Sequence, residues 1–321
     1  MKVNDVLTMG EPMTMFVADE EGPLESVLHY TRFLAGAEVN VSIGLSRLGC
    51  QTGYVTRVGD DPFGRYIHSE LERDGIDTSF VMVDDVHPTG FQLKSKVSAG
   101  DPEVVYFRKA SAASHLSEED IRKVDFRGVR HIHVTGIPLA LSESCLEAVD
   151  LLIAQGKAHQ VPISFDPNLR PSLWKDTQTM VEVINHFAAK CDYILPGMGE
   201  ARILTGKSTP EEAAEFYLNL GARTVIVKLG HEGAFVHTGR ESYTVPGFSV
   251  DEVVDTVGAG GGFAVGVISG LLDGMPLPEA VRRGNAIGAM QVMTRGDNDG
   301  LPSRASLEQF LHAHTGRFIG K

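Results

Sequence analysis

Short apolar runs alternate with longer helix-compatible segments through the middle of the chain, and this rhythm limits the fold more than any other feature. The runs are His131–Val134, Pro162–Phe165, Tyr193–Leu195 and Thr224–Leu229, and between them lie Cys145–Gln155, Thr177–Ala189 and Glu211–Leu220. Parallel neighbours need a crossover, and helices used as crossovers cover both faces of the sheet. The pattern therefore predicts an α/β fold with a mostly parallel sheet flanked by helices. Val3–Met9 reads as a strand ended by Gly10-Glu11-Pro12, and Asn40–Leu48 as a helix stopped at Gly49.

The rhythm breaks twice. Phe91–Val97 and Val104–Lys109 are strand-like and joined by Ser98-Ala99-Gly100-Asp101-Pro102, a turn by composition, so they read as an antiparallel hairpin. Residues 12–34 are also poor in helical pattern. The expected organisation is an α/β core of residues 1–11, 35–87 and 110–321, with a small β-lid of residues 12–34 and 88–109.

A chain of 321 residues has room for such a core, and 42% hydrophobic with 22% charged residues is ordinary for a globular protein. The net charge of −13 argues against a nucleic acid or an anionic membrane as partner. The N-terminal residues carry no leader-like apolar core, and the apolar stretch after residue 262 is too short to span a bilayer. Cys50, Cys145 and Cys191 are odd in number and far apart, which fits a reduced, cytoplasmic setting.

Residues 255–263 read Asp-Thr-Val-Gly-Ala-Gly-Gly-Gly-Phe and lead into the helix-compatible run Phe263–Leu272. Glycines at a helix start let bare backbone N–H groups surround an anion, where the helix dipole also favours negative charge. The plain alternative is a tight strand-to-helix turn. A dinucleotide loop fits poorly, because the third glycine of Gly-x-Gly-x-x-Gly falls on Phe263. Gly206-Lys207-Ser208 mimics the end of a phosphate loop, but Ala201 stands where its first glycine belongs, so it reads as a surface turn. His131 and His133 share a strand face without a third ligand, and a structural role is expected for both. Tyr106 and Arg108 are two apart on a predicted strand and so share a face. An arginine there suits bidentate grip on a carboxylate, the alternative being a solvated strand arginine.

The glycine run resembles the Asp-Thr-x-Gly-Ala-Gly-Asp signature of the pfkB-type, ribokinase-like carbohydrate kinases. Gly258, Ala259 and Gly260 match it, and Gly261 stands where the family has its catalytic Asp. Ala35-Gly36-Ala37-Glu38-Val39-Asn40-Val41 resembles the amino-terminal signature, which implies sugar contacts at Gly36, Ala37 and Asn40. The stretch from Thr224 through Lys228 and Gly230 to Gly233 resembles the nucleotide-binding strand and turn, and Asn285 lies on the later helix where relatives contact adenosine. Gly100-Asp101-Pro102, Tyr106–Lys109, Asp166–Trp174 and Asp297–Pro302 are more similar to 2-keto-3-deoxygluconate kinases than to fructokinases or ribokinases.

This resemblance implies a ribokinase-like fold and the ATP- and Mg2+-dependent phosphorylation of the 6-hydroxyl of a keto-deoxy sugar acid. Arg108 would hold the carboxylate beside Tyr106, with Phe91, Arg170 and Asp297 as further substrate contacts and Asp299 competing with Asp297. Asn168, Arg170, Lys228, Gly230, Gly233, Gly258, Gly260 and Asn285 would serve the nucleotide. The family's Asn-x-x-Glu element appears as Gly197-Met198-Gly199-Glu200, leaving Glu200 and water for an indirect magnesium role. Asp255 is the candidate for a monovalent cation such as K+, and a homo-oligomer is the expected assembly. Gly261 has no side chain to take a proton, so activity is expected to be severely impaired. The alternatives are a kinase of another sugar, or a non-catalytic relative that binds sugar acid and nucleotide.

Overall fold

The inner strands of the main sheet are buried almost end to end, and successive residues feed two separate cores. In the computed structural model, which describes residues 3–97, 102–250, 252–254, 257–294 and 296–314, the chain opens with β1 (Val6–Met9), β2 (Met13–Glu21) and β3 (Tyr30–Ala35). Next come α1 (Ala37–Arg47), β4 (Thr52–Gly59), α2 (Pro62–Arg73), β5 (Val81–Asp84), β6 (Phe91–Lys96) and β7 (Val104–Phe107). The middle holds α3 (Glu118–Ile121), β8 (His131–Thr135), α4 (Glu143–Ala158), β9 (Ile163–Asp166), α5 (Thr177–Ala188) and β10 (Tyr193–Ile194). Then follow α6 (Met198–Thr205), α7 (Pro210–Leu220), β11 (Thr224–Lys228), β12 (Gly233–His237) and β13 (Ser242–Pro246). The chain closes with α8 (Ala259–Leu272), α9 (Leu277–Val292) and α10 (Arg304–Ala313).

The main sheet has the order β13-β12-β11-β10-β9-β8-β1-β4-β5. From β11 to β5 every pairing is parallel, while β12 and β13 form an antiparallel edge. Strand alternation divides the side chains. Leu7, Val55, Val225 and Val227 enter a core with α4, α5 and α7, whereas Val6, Tyr54 and Ile226 enter one with α1, α8 and α9.

Helix ends follow local chemistry. Asp61 caps α2 by accepting the N–H groups of Phe63 and Gly64, at 2.9 and 2.8 Å, with Pro62 at the first helical position. Helices α8 and α9 meet backbone to backbone: a Cβ on Gly266 would stand 2.5 Å from the Gly284 Cα, and one on Gly270 2.7 Å from Ala280. Only glycine leaves room for that approach.

A second sheet, ordered β3-β2-β6-β7, stands apart from the first. The pairings β3–β2 and β6–β7 are antiparallel and β2–β6 is parallel. Its outer face carries Phe16 and Phe91, which pack edge-on against each other and around Phe63 of α2, with Phe107 stacked on Phe91 at 4.6 Å between centroids. Val3 is exposed and precedes β1, which starts at Val6 because pairing with Thr52 and His131 begins there. The turn residues 98–101 lie outside the described residues.

Candidate active site

The carboxyl ends of β1, β8, β9 and β11 open under the small sheet into a cavity of about 460 Å³. In open α/β sheets this is where ligands sit. The floor comes from the main sheet and the N-termini of α1 and α8; the roof comes from β2, β6 and β7.

At one end is the start of α8. Gly258 is its N-cap at φ 83°, a left-handed conformation suited to glycine, and a Cβ there would lie 2.6 Å from the Asp297 carbonyl oxygen. The first helical bond runs from Gly262 N–H to Gly258 O at 2.9 Å. The N–H groups of Ala259, Gly260 and Gly261 thus precede the hydrogen-bonded ladder, and Gly258, Gly260 and Gly261 line the cavity. Lys228 places its amine beside them, 3.3 Å from where a Cβ on Gly260 would be, and the Asp166 carboxylate holds that amine at 2.7 Å.

Gly261 differs from Gly258. It sits inside the helix without a positive φ, and a Cβ there would meet only Val41 Cγ2 at 3.8 Å and Ala37 O at 4.0 Å. Both are ordinary contacts. Nothing in the backbone or its surroundings requires a glycine at 261.

At the other end, the small sheet turns Gln92, Lys94, Val104 and Tyr106 into the cavity, followed by Arg108 just past β7. Arg108 is buried, and its guanidinium bonds Glu11 through Nε at 2.6 Å, with Nη2 also against that carboxylate. Lys94 pairs with Asp297 at 3.7 Å. Among the described residues, Arg170 is the cavity cation without a carboxylate partner; its Nη1 donates to its neighbour's carbonyl, Leu169 O, at 2.9 Å.

Gly36 starts α1 at φ 144°, where a Cβ would stand 2.8 Å from Glu11 O. Ala37 and Asn40 follow it into the cavity, and Asn298 orients the Asn40 amide by donating to its Oδ1 at 3.3 Å. Glu38 is buried, and loss of hydration raises its carboxyl to about 7, opposed first by the hydrogen bond from Thr135.

The cavity therefore gathers Gly36, Ala37, Asn40, Tyr106, Arg108, Asn168, Arg170, Glu200, Lys228, Gly258, Gly260, Gly261 and Asp297 from across the sequence. Asp299 does not line it. Phe91 does not line it either: Gln92 and Lys94 face the cavity, so alternation turns Phe91 to the aromatic cluster on the outer face. Nor does Asn285, whose Nδ2 donates to Val245 O and Pro246 O at 3.0 Å each, tying α9 to β13. Gly230 and Gly233 form the β11–β12 connection and also lie off the lining, as does Ala259. Asp255 lies outside the described residues.

Glu200 accepts from Leu169 N at 2.9 Å and Gly197 N at 2.8 Å, so each of its oxygens holds one backbone group. His131 and His133 share the Ser164 hydroxyl at 2.8 Å each, and burial pushes both imidazoles down to about 3, which keeps them neutral. Sequence reasoning missed Glu11, Glu38, Gln92 and Lys94 as site residues and quoted Asp166 without assigning it one. Glu11 and Asp166 had a signal, their place at strand carboxyl ends. Lys94 had only its two-residue spacing from Gln92.

Comparison with known proteins gives a consistent neighbourhood. The model for "pfkB family carbohydrate kinase" matches residues 3–304. The 2-dehydro-3-deoxygluconokinase of Bacillus subtilis is 50% identical over 310 residues, covering 96% of each chain. The solved PfkB protein from Polaromonas sp. JS666 is 47% identical with a TM-score of 0.87, covering 95% of this chain and 99% of that one. An E. coli chain solved with ATP and Mg2+ is 29% identical with a TM-score of 0.88, covering 97% and 100%.

Proposed function

The chain belongs to the pfkB family of carbohydrate kinases and has its ribokinase-like fold, and on that premise we propose that it binds ATP and 2-keto-3-deoxygluconate for transfer of the γ-phosphoryl group to the 6-hydroxyl. One observation carries the reading: a single cavity joins a bare helix N-terminus to a wall of Lys94, Tyr106 and Arg108. The first suits a phosphate, the second an acidic polyol. The 50% identical relative bears the matching name.

In phosphoryl transfer the protein mainly positions the reactants and balances charge. The N–H groups of residues 259–261 would receive the γ-phosphoryl oxygens, and Lys228, fixed by Asp166, would add a positive charge at the same end. Asn40, Tyr106, Arg108 and Asp297 would hold the sugar acid, with Arg108 kept in place by Glu11. Asp166 and Glu200 are oxygen donors on the cavity wall, and Mg2+ commonly uses one or two carboxylates together with waters and phosphates, so the donor set fits that ion. When bound, Mg2+ offsets phosphate charge.

The remaining requirement is a group to orient the hydroxyl and take its proton. At 261 there is none. We therefore expect both ligands to bind and turnover to lie far below the 1–100 per second, roughly, of ordinary kinases. Gly261 also leaves room for a second reading, a non-catalytic binding protein on the same scaffold. Calorimetry with 2-keto-3-deoxygluconate, fructose and ribose tests the substrate assignment. Binding of the sugar acid in preference to fructose is the expected result, and equal affinity for both sinks it.

A further inference from the structure

Asp297 is an acidic residue placed where both expected ligands are anions. It lines the cavity together with Gly258, Gly260 and Gly261. Its backbone carbonyl lies so close to the start of α8 that a Cβ on Gly258 would stand 2.6 Å from it. Three elements pin the chain on either side. Gln291 Nε2 of α9 donates to Gly296 O at 3.0 Å. Asn298 Nδ2 donates to Leu34 O of the small sheet at 3.0 Å and to Asn40 Oδ1 of α1 at 3.3 Å, and Arg47 Nη1 of α1 donates to Asn298 O at 2.7 Å. The backbone that carries the carboxylate is therefore fixed beside the phosphate end.

Lys94 answers that charge from the roof. It sits on β6, faces the cavity, and places Nζ 3.7 Å from Asp297 Oδ1, with the two side chains 8% and 11% exposed. That separation exceeds hydrogen-bonding reach, unlike the 2.7 Å between Lys228 and Asp166, so Lys94 acts on this oxygen through charge. Low exposure leaves little solvent to screen the pair.

We propose that Lys94 is a positioning residue for nucleotide binding, which offsets the fixed Asp297 carboxylate so that a phosphate chain can settle on the start of α8. This rests on the assignment of that helix N-terminus to phosphate. The role differs from a direct lysine grip on phosphate. If Lys94 works through Asp297, removing the carboxylate makes the lysine dispensable to the nucleotide. The pair also gives a reason to keep a carboxylate near two anions, since a sugar hydroxyl needs an acceptor and Lys94 lets the cavity hold one.

The test measures binding rather than turnover, so the missing side chain at 261 does not interfere. Wild type, Lys94→Met, Lys94→Arg, Asp297→Asn and the double variant Lys94→Met with Asp297→Asn are titrated with ADP by calorimetry. Wild type is also titrated with 2-keto-3-deoxygluconate, and thermal unfolding checks that each variant folds. Lys94→Met keeps most of the stem and drops the charge. It is expected to weaken ADP binding by roughly 5- to 30-fold, the effect of a unit charge about 8–10 Å away in a partly screened site. Lys94→Arg should stay near wild type, and the double variant should return to within about threefold of it. Asp297→Asn alone should tighten ADP binding by a factor similar to the Lys94→Met loss.

Unchanged ADP affinity in Lys94→Met overturns the inference and leaves the kinase reading standing. A loss that Asp297→Asn does not repair also overturns it, since that marks a lysine that grips phosphate itself or merely supports the roof. Should Lys94→Met fail to fold, Asp297→Asn decides alone, and no gain in ADP affinity there sinks the proposal. A wild type that binds the sugar acid and not ADP removes the phosphate assignment and this inference together.

Discussion

At position 261 a side chain is missing where there is room for one. Gly261→Asp introduces a carboxylate at the start of α8, in a helical conformation and with only van der Waals neighbours. Acidic groups are also favourable in a first helical turn. The expected outcome is sugar-acid-dependent ADP formation at least about a hundredfold above the unmodified chain, the lower range for a general base. A coupled assay that finds no gain would move the proton acceptor to another residue. Arg108 makes a sharper demand on design, since Arg108→Ala alone strands the buried Glu11 carboxylate. The double variant Arg108→Ala with Glu11→Gln removes both charges. It should lower affinity for 2-keto-3-deoxygluconate by roughly tenfold or more and leave fructose binding unchanged. Equal effects on both ligands would assign the pair to the architecture of the small sheet. Cavity-lining residues were legible in the sequence where a motif spelled them out, as at Gly36, Ala37, Asn40, Gly258, Gly260 and Gly261. Glu38 and Lys94 were not, because their meaning comes from partners far away in the chain, Thr135 and Asp297, and the signal at Glu11 did not show its partner Arg108.

Among elements, α8 and the small sheet matter most to the site. Gly258 needs its left-handed φ, so Gly258→Ala carries strain of roughly 1–2 kcal/mol before its contact with the Asp297 carbonyl, 2.6 Å away, is relieved. Relief shifts the first turn of α8, and the prediction is loss of nucleotide binding by calorimetry together with a lower Tm. Wild-type ADP affinity in that variant would refute the assignment of the helix N-terminus to phosphate. The parallel strands were readable because burial on both faces makes them continuous apolar runs. The antiparallel edge β12–β13 was not, since a glycine-bounded turn such as 230–233 does not show in sequence that the chain returns antiparallel. The face that Phe91 takes was not legible for a related reason: only register shows which side of the small sheet an aromatic strand residue occupies.

For the whole molecule, acid should be the weak side of the stability profile. His131 and His133 are held neutral to about pH 3, against an ordinary value of 6.5. Unfolded chains bind protons at these sites between those values, so this stability is present above pH 6.5 and is lost as pH falls toward 3. Glu38 works in the opposite sense. Its folded carboxyl titrates near 7 against an ordinary 4.5, so its contribution is full below 4.5 and is lost as pH rises through 7. Two histidines outweigh one glutamate between these limits, and near pH 5 unfolding should take up roughly one proton net. Denaturant titrations at pH 7 and pH 5 check this; equal unfolding free energies would contradict it. The close seam between α8 and α9 carries a last consequence. Helices whose backbones already touch at Gly266 and Gly284 cannot slide inward to follow a departing phosphate. On the proposed reading the phosphate end would thus be an anvil, and whatever travel a catalytic cycle needed would fall to the small sheet above it.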